Sequence, residues 1–210
     1  MEYIIPCIKK YKNVDELLEN RQTSSSLFNQ QENKMVLDDL KNESFVCIVG
    51  EPGIGKSRLL KEFLNSVTES IFFINATEFI PSKVDEKTNY CVIDALDEVD
   101  TNKFTEVLNS IKQYKSEHSS VNVLFSCRRH YVESYIQHFL SCNDLSFIEL
   151  CRLRENNVNE IVKKCNYKTQ SSVKNSPKLL ELLSIPRYLD FFIRYNKEKC
   201  ECTNIGDLFE

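Results

Sequence analysis

Five stretches of the chain are continuous apolar runs: FVCIV (45–49), SIFFIN (70–75), YCVID (90–94), NVLFSC (122–127) and a weaker LSFIEL (145–150). Between them the apolar positions fall at helical spacing, in SRLLKEFLNSV, KFTEVLNSIKQYKSE and HYVESYIQHFLSC. Strands that are apolar without alternation are buried on both faces, and the intervening helices supply the cover. The pattern predicts an α/β domain built on a parallel, doubly wound sheet flanked by helices. Beyond residue 150 only helical spacing remains, in RENNVNEIVKKC and SPKLLELLSIPRYLDFFIRYNKE, the latter interrupted at Pro186, which cannot continue a helical hydrogen-bond ladder. Before residue 45 the pattern gives two short helices, VDELLENR and ENKMVLDDLKN, around the polar loop QTSSSLFNQQ. The expected organisation is a helical lead-in over 1–44, the α/β domain over 45–150 and a small all-α subdomain over 151–210, with no internal repeat.

Composition narrows the partners. The 210 residues are 41% hydrophobic and 28% charged, as in ordinary globular chains, and the net charge of -4 gives no general attraction to nucleic acid or anionic lipid. No basic stripe with interleaved aromatics supports nucleic-acid binding. No run approaches the roughly 18 uninterrupted apolar residues of a membrane span, so a cytoplasmic protein is expected. Of the nine cysteines, Cys47, Cys91 and Cys127 lie in the strand patterns and are expected to be reduced core residues. Cys200 and Cys202 with Cys151 and Cys165 lack the spacing of a zinc site, and His118, His130 and His138 lack ligand spacing too.

One loop carries recognisable chemistry. GEPGIGKS, Gly50 to Ser57, follows an apolar strand and precedes a helix, which is the Walker A pattern in its required context. Gly53 and Gly55 let successive backbone N–H groups turn toward an anion, and the helix starting near Gly55 adds its positive end. Lys56 is expected to reach the β- and γ-phosphates and Ser57 to ligate Mg²⁺, with Gly50, Glu51, Pro52, Ile54 and Arg58 completing the lining. YCVIDALDEVD supplies a second element: its strand delivers Asp94 at the C-terminal edge, where open parallel sheets bind ligands, so Asp94 is the expected second metal residue, completing the Mg²⁺ shell with Ser57 through water. Asp97, Glu98 and Asp100 beyond it also suit a helix start.

These two motifs together resemble the STAND NTPases, and within them the NACHT-like branch, whose second motif has a small residue directly after the magnesium aspartate and further acids beyond. Here that run is Asp94-Ala95-Leu96-Asp97-Glu98. The resemblance implies that Asp97 or Glu98 orients water. It implies that Arg128, ending Ser126-Cys127-Arg128, senses the terminal phosphate, with Arg129 as its understudy. It further implies that Pro186 of LSIPRYLDFF packs by the adenine, and it extends through FIELCRLRENNVNEIV (147–162). ATP or ADP with Mg²⁺ is the implied cofactor set, and no guanine-reading N-K-x-D motif occurs. The implied function is an ATP-binding, slowly hydrolysing switch of signalling or antiviral defence that associates with itself or a partner in a nucleotide-dependent way. The alternatives are an AAA+-type ATPase and a P-loop kinase for a small metabolite. Departures from the family are a compact stretch between Ser57 and Asp94 and an ending, TNIGDLFE, that reads as the start of another helix and leads us to expect a fragment.

Overall fold

The computed structural model describes residues 7–19, 37–142, 144–163 and 173–198. The polar loop expected at 22–31, residues 32–36 of the second lead-in helix, and Cys165, Cys200 and Cys202 lie outside the described residues.

Among the described residues six strands form one sheet in the order β1-β6-β2-β5-β4-β3, where β1 is Cys7–Tyr11, β2 Phe45–Gly50, β3 Ile71–Asn75, β4 Tyr90–Asp94, β5 Asn122–Cys127 and β6 Ser146–Cys151. The pairs β2·β5, β2·β6, β3·β4 and β4·β5 are all parallel. The central position of β2 explains its composition: all six of its residues are buried, so no polar alternation is possible. Helices connect the strands: α1 (Val14–Glu19), α2 (Lys56–Ser66), α3 (Thr101–Glu117), α4 (Arg129–Ser134) and α5 (Ile136–Leu140). Residues 37–42 are helical as well. Phe104, Leu108, Ile111 and Tyr114 form the buried stripe of α3 at the expected three- and four-residue spacing.

Two local expectations are corrected. Cys7–Tyr11 is a strand of the sheet, inside a lead-in expected to be helical. CIKKY is too short and too lysine-rich to read as a buried strand, and an edge position is where such a sequence fits. The single helix expected over HYVESYIQHFLSC is two, separated at Tyr135 (φ -110°, ψ 28°).

The chain divides into two compact units. One comprises Ile8–Pro52 and Lys56–Leu150, with a core drawn from both the strands and the helices, including Cys47, Val49, Ile93, Phe104, Phe125 and Phe147. The other takes in Gly53–Gly55 and the chain from Cys151 onward. In it, α6 (Glu155–Val162), α7 (Pro177–Leu183) and α8 (Pro186–Glu198) bury Val158, Leu179, Leu183, Leu189 and Phe192 together. Pro177 opens α7 behind the Ser176 cap, whose Oγ accepts from the Leu179 N–H at 3.3 Å. Pro186 likewise starts α8, so the proline that interrupts the pattern also begins the next helix.

Candidate functional site

The loop between β2 and α2 has the backbone its sequence requires. Gly53 (φ 76°) and Gly55 (φ 112°) both sit at positive φ, which side chains with a Cβ rarely adopt. Ile54 between them is fully buried and anchors the turn, while Glu51, Pro52, Ser57 and Arg58 are exposed. The Lys56 ammonium folds back along the loop, donating to the Gly50 carbonyl at 3.0 Å and the Glu51 carbonyl at 3.2 Å. Burial lowers its pKa below the ordinary lysine value, against the opposing pull of the Asp97 carboxylate.

A second cluster forms at the ends of β4 and β5, which are paired neighbours. Asp94 ends β4, half-buried, and its Oδ1 accepts from the Ser126 hydroxyl at 2.5 Å. Ala95 comes next, in the left-handed region (φ 59°, ψ 50°), and its N–H donates to Ser126 Oγ at 2.8 Å. That turn drops Leu96 and Asp97 into the interior, whereas Glu98 is exposed. Arg128, just past β5, meets Asp97 through Nε at 2.6 Å from Oδ2. The other oxygen, Asp97 Oδ1, is buried without a hydrogen-bond partner. Asp100 serves structure: its side chain caps α3 by accepting from the Asn102 N–H at 2.9 Å.

The structure thus brings Asp97 to Arg128, whereas Arg129 is directed elsewhere. Its guanidinium bonds Glu149 of β6, Glu133 (3.1 Å) and the Leu17 carbonyl of α1 (2.8 Å), and so it holds the fold together. Among the described residues no cluster of His, Cys, Asp and Glu could hold a metal by itself, and no helix is long and apolar enough to cross a membrane. Cys47, Cys91 and Cys127 are buried thiols, and burial pushes Cys91 up to about 12, which disfavours the reactive thiolate.

Two residues with structural claims on the site were not singled out from the sequence. Ser126 is one; a lone serine in the buried run NVLFSC was its only signal. Arg187 is the other. In the unit that holds Gly53–Gly55 and the chain from Cys151, its N–H donates to the Gly53 carbonyl at 3.2 Å, and a Cβ on Gly53 would lie 3.1 Å from Arg187 Cβ. Nothing in the local pattern around Arg187 announces that approach.

The donor set fits a nucleotide with a hard divalent cation. Two positive-φ glycines open the loop backbone, a lysine adjoins it, and a hydroxyl and a carboxylate are the oxygen ligands Mg²⁺ prefers. The unpartnered Asp97 Oδ1 marks a polar interior that lacks a donor. A phosphate loop at the C-terminal edge of a parallel sheet, with an acid on a strand of the same edge, defines a P-loop NTPase. Within that class, the chain belongs to the family described as Novel STAND NTPase 3, whose profile matches residues 27–168.

Solved structures agree on the fold. A Walker-type ATPase of Pyrococcus abyssi superposes with a TM-score of 0.55 at 13% identity, covering 87% of this chain and 70% of the ATPase. NtrX of Brucella abortus, solved with ADP, gives 0.52 at 9% identity over 93% of this chain and 56% of its own. The Orc1 protein of Aeropyrum pernix, solved in complex with DNA, gives 0.50 at 11% identity over 92% and 66%. No curated protein is similar enough in sequence to match.

Proposed function

We propose that this chain is an ATP-binding molecular switch that hydrolyses slowly, the NTPase module of a NACHT-like STAND protein of signalling or defence. The observation that carries the slow-hydrolysis reading is the state of Asp97. It is buried, and Arg128 occupies one of its oxygens. The position after Asp94 is Ala95, which has no carboxylate, and the remaining acid, Glu98, is exposed on a short turn. Water orientation is most of what phosphoryl transfer asks of a protein, and neither Asp97 nor Glu98 is held ready for it.

In this reading the loop N–H groups and Lys56 bind the phosphates, and Ser57 and Asp94 would hold Mg²⁺. When bound, the ion supplies charge neutralisation at the phosphate oxygens. Arg128 exchanges Asp97 for the terminal phosphate and so distinguishes ATP from ADP. Pro186 is assigned to the adenine on family resemblance, and its neighbour Arg187 already touches the loop at Gly53. A nucleotide-dependent partner or a second copy of the chain would read the state. The DNA in the Orc1 complex belongs to that protein; the net charge of -4 here favours no such ligand.

Phosphate release by the purified chain with Mg-ATP tests the reading. Turnover slower than about 0.1 s⁻¹ is expected, well under the roughly 1–100 s⁻¹ of kinases. Several turnovers per second, lost in Asp97→Asn or Glu98→Gln, would establish a competent enzyme and sink the holding-switch reading.

A further inference from the structure

We propose that Ser126 is a positioning residue that sets both acids of the site, orienting Asp94 for the cation and fixing the turn that places Asp97. The inference rests on the reading of Asp94 as a magnesium ligand and goes beyond it.

Ser126 is the penultimate residue of β5 and is fully buried. In the β4·β5 register Ile93 pairs with Phe125, so Ser126 stands next to Asp94 at the ends of adjacent strands. A hydroxyl has one proton to donate and two lone pairs to accept with. The Ala95 N–H can only donate, so its 2.8 Å bond takes a lone pair of Ser126 Oγ and leaves the hydroxyl proton for Asp94 Oδ1 at 2.5 Å. The two bonds therefore fix each other's direction. With Oδ1 bonded to Ser126, the carboxylate plane of Asp94 is held before any cation and its waters would arrive.

The same hydroxyl controls the turn after Asp94. Ala95 is the one non-glycine among the described residues at positive φ, a conformation costing roughly 1–2 kcal/mol for an L-residue. It persists here with its N–H satisfied by Ser126. The left-handed residue leads directly into the turn Leu96–Glu98, which buries Asp97 beside Arg128. One side chain on β5 thus sets the metal carboxylate directly and the sensor's carboxylate through the backbone.

The test is ATP affinity by calorimetry, with Mg²⁺ and with EDTA, for wild type, Asp94→Asn, Ser126→Ala and the double variant Ala95→Gly/Ser126→Ala. The informative quantity is the ratio of the two affinities, which a general loss of stability does not move. The expected result is a magnesium enhancement in wild type, abolished in Asp94→Asn and cut about fivefold or more in Ser126→Ala. Glycine adopts the left-handed turn without strain, so the double variant should regain thermal stability without regaining the enhancement. It also carries the comparison if Ser126→Ala alone does not fold. An enhancement lost in Asp94→Asn but intact in Ser126→Ala, or restored in the double variant, overturns the role of Ser126 and leaves Asp94 as assigned. No enhancement in wild type, or one that survives Asp94→Asn, overturns the reading of Asp94 itself.

Discussion

A lysine that bonds two carbonyls of its own loop is a cation waiting for a better acceptor. In the proposed function charged phosphate oxygens would outcompete the Gly50 and Glu51 carbonyls for the Lys56 ammonium. Lys56→Ala is expected to weaken ATP binding at least tenfold, about 1.4 kcal/mol, and unchanged affinity by calorimetry would remove the phosphate-loop assignment. Gly53 makes a sharper demand, because its φ of 76° strains any residue with a Cβ and Arg187 Cβ, 3.1 Å from where that atom would lie, would have to give way by a few tenths of an ångström. Gly53→Ala is therefore expected to cost about 1 kcal/mol or more in a denaturant melt and to weaken nucleotide binding with it. Arg128 meets Asp97 in the structure and, in the proposed function, would meet the γ-phosphate instead. If it exchanges Asp97 for the γ-phosphate, Arg128→Ala should weaken ATP binding more than ADP binding; equal losses would reduce it to a structural partner of Asp97.

Among the elements, β1 and α1 are tied to the sheet by charge as much as by apolar contact. Glu149 of β6 receives the Tyr11 hydroxyl of β1 at 3.0 Å and the Arg129 guanidinium, and Arg129 reaches on to the Leu17 carbonyl. Removing one member of a nearly buried charged network strips the others of a partner they were desolvated to meet. Glu149→Ala should cost on the order of 2 kcal/mol of stability, given that Glu133 still engages Arg129, while leaving the ATP-to-ADP affinity ratio unchanged. A change in that ratio would mean that the tether reaches the neighbouring Arg128. A second tie, Lys10 with Glu43, is pH-sensitive. Burial pushes the Glu43 carboxyl up, but its bonds to Lys10 and Ser146 prevail, and its pKa lies below the ordinary 4.5. A depressed acid stabilises the fold fully above its unfolded pKa and loses that contribution as pH falls through the folded one. Acid unfolding followed by circular dichroism should accordingly begin at a higher pH in Lys10→Met than in wild type.

For the whole molecule, a ligand that binds only the folded state raises its stability by an amount set by concentration over Kd. Mg-ATP at a hundred times its Kd should add about 2.7 kcal/mol and move the thermal midpoint up, and the same concentration should do far less for Lys56→Ala. Features differ in how far along the chain their causes lie, and their legibility differs with it. The five apolar runs, the helices between them and the phosphate loop were readable because strand burial, helical spacing and positive-φ glycines are written in contiguous residues. The short strand CIKKY was not, since its place in the sheet comes from pairing with β6, more than a hundred residues along the chain. Likewise Asp97 and Glu98 could both be nominated from the sequence but not sorted, and Arg128 was set above Arg129 by family resemblance alone. Strand order sorted them: placing β5 beside β4 brought Arg128 onto Asp97 and Ser126 onto Asp94, and placing β6 in the same sheet drew Arg129 away to Glu149. The sequence by itself determined the class of fold and the ligand its loop is built to hold, because those rest on local backbone geometry. Which acid pairs with which arginine was decided only by tertiary structure, because such pairs join residues that nothing but the sheet brings within hydrogen-bond reach.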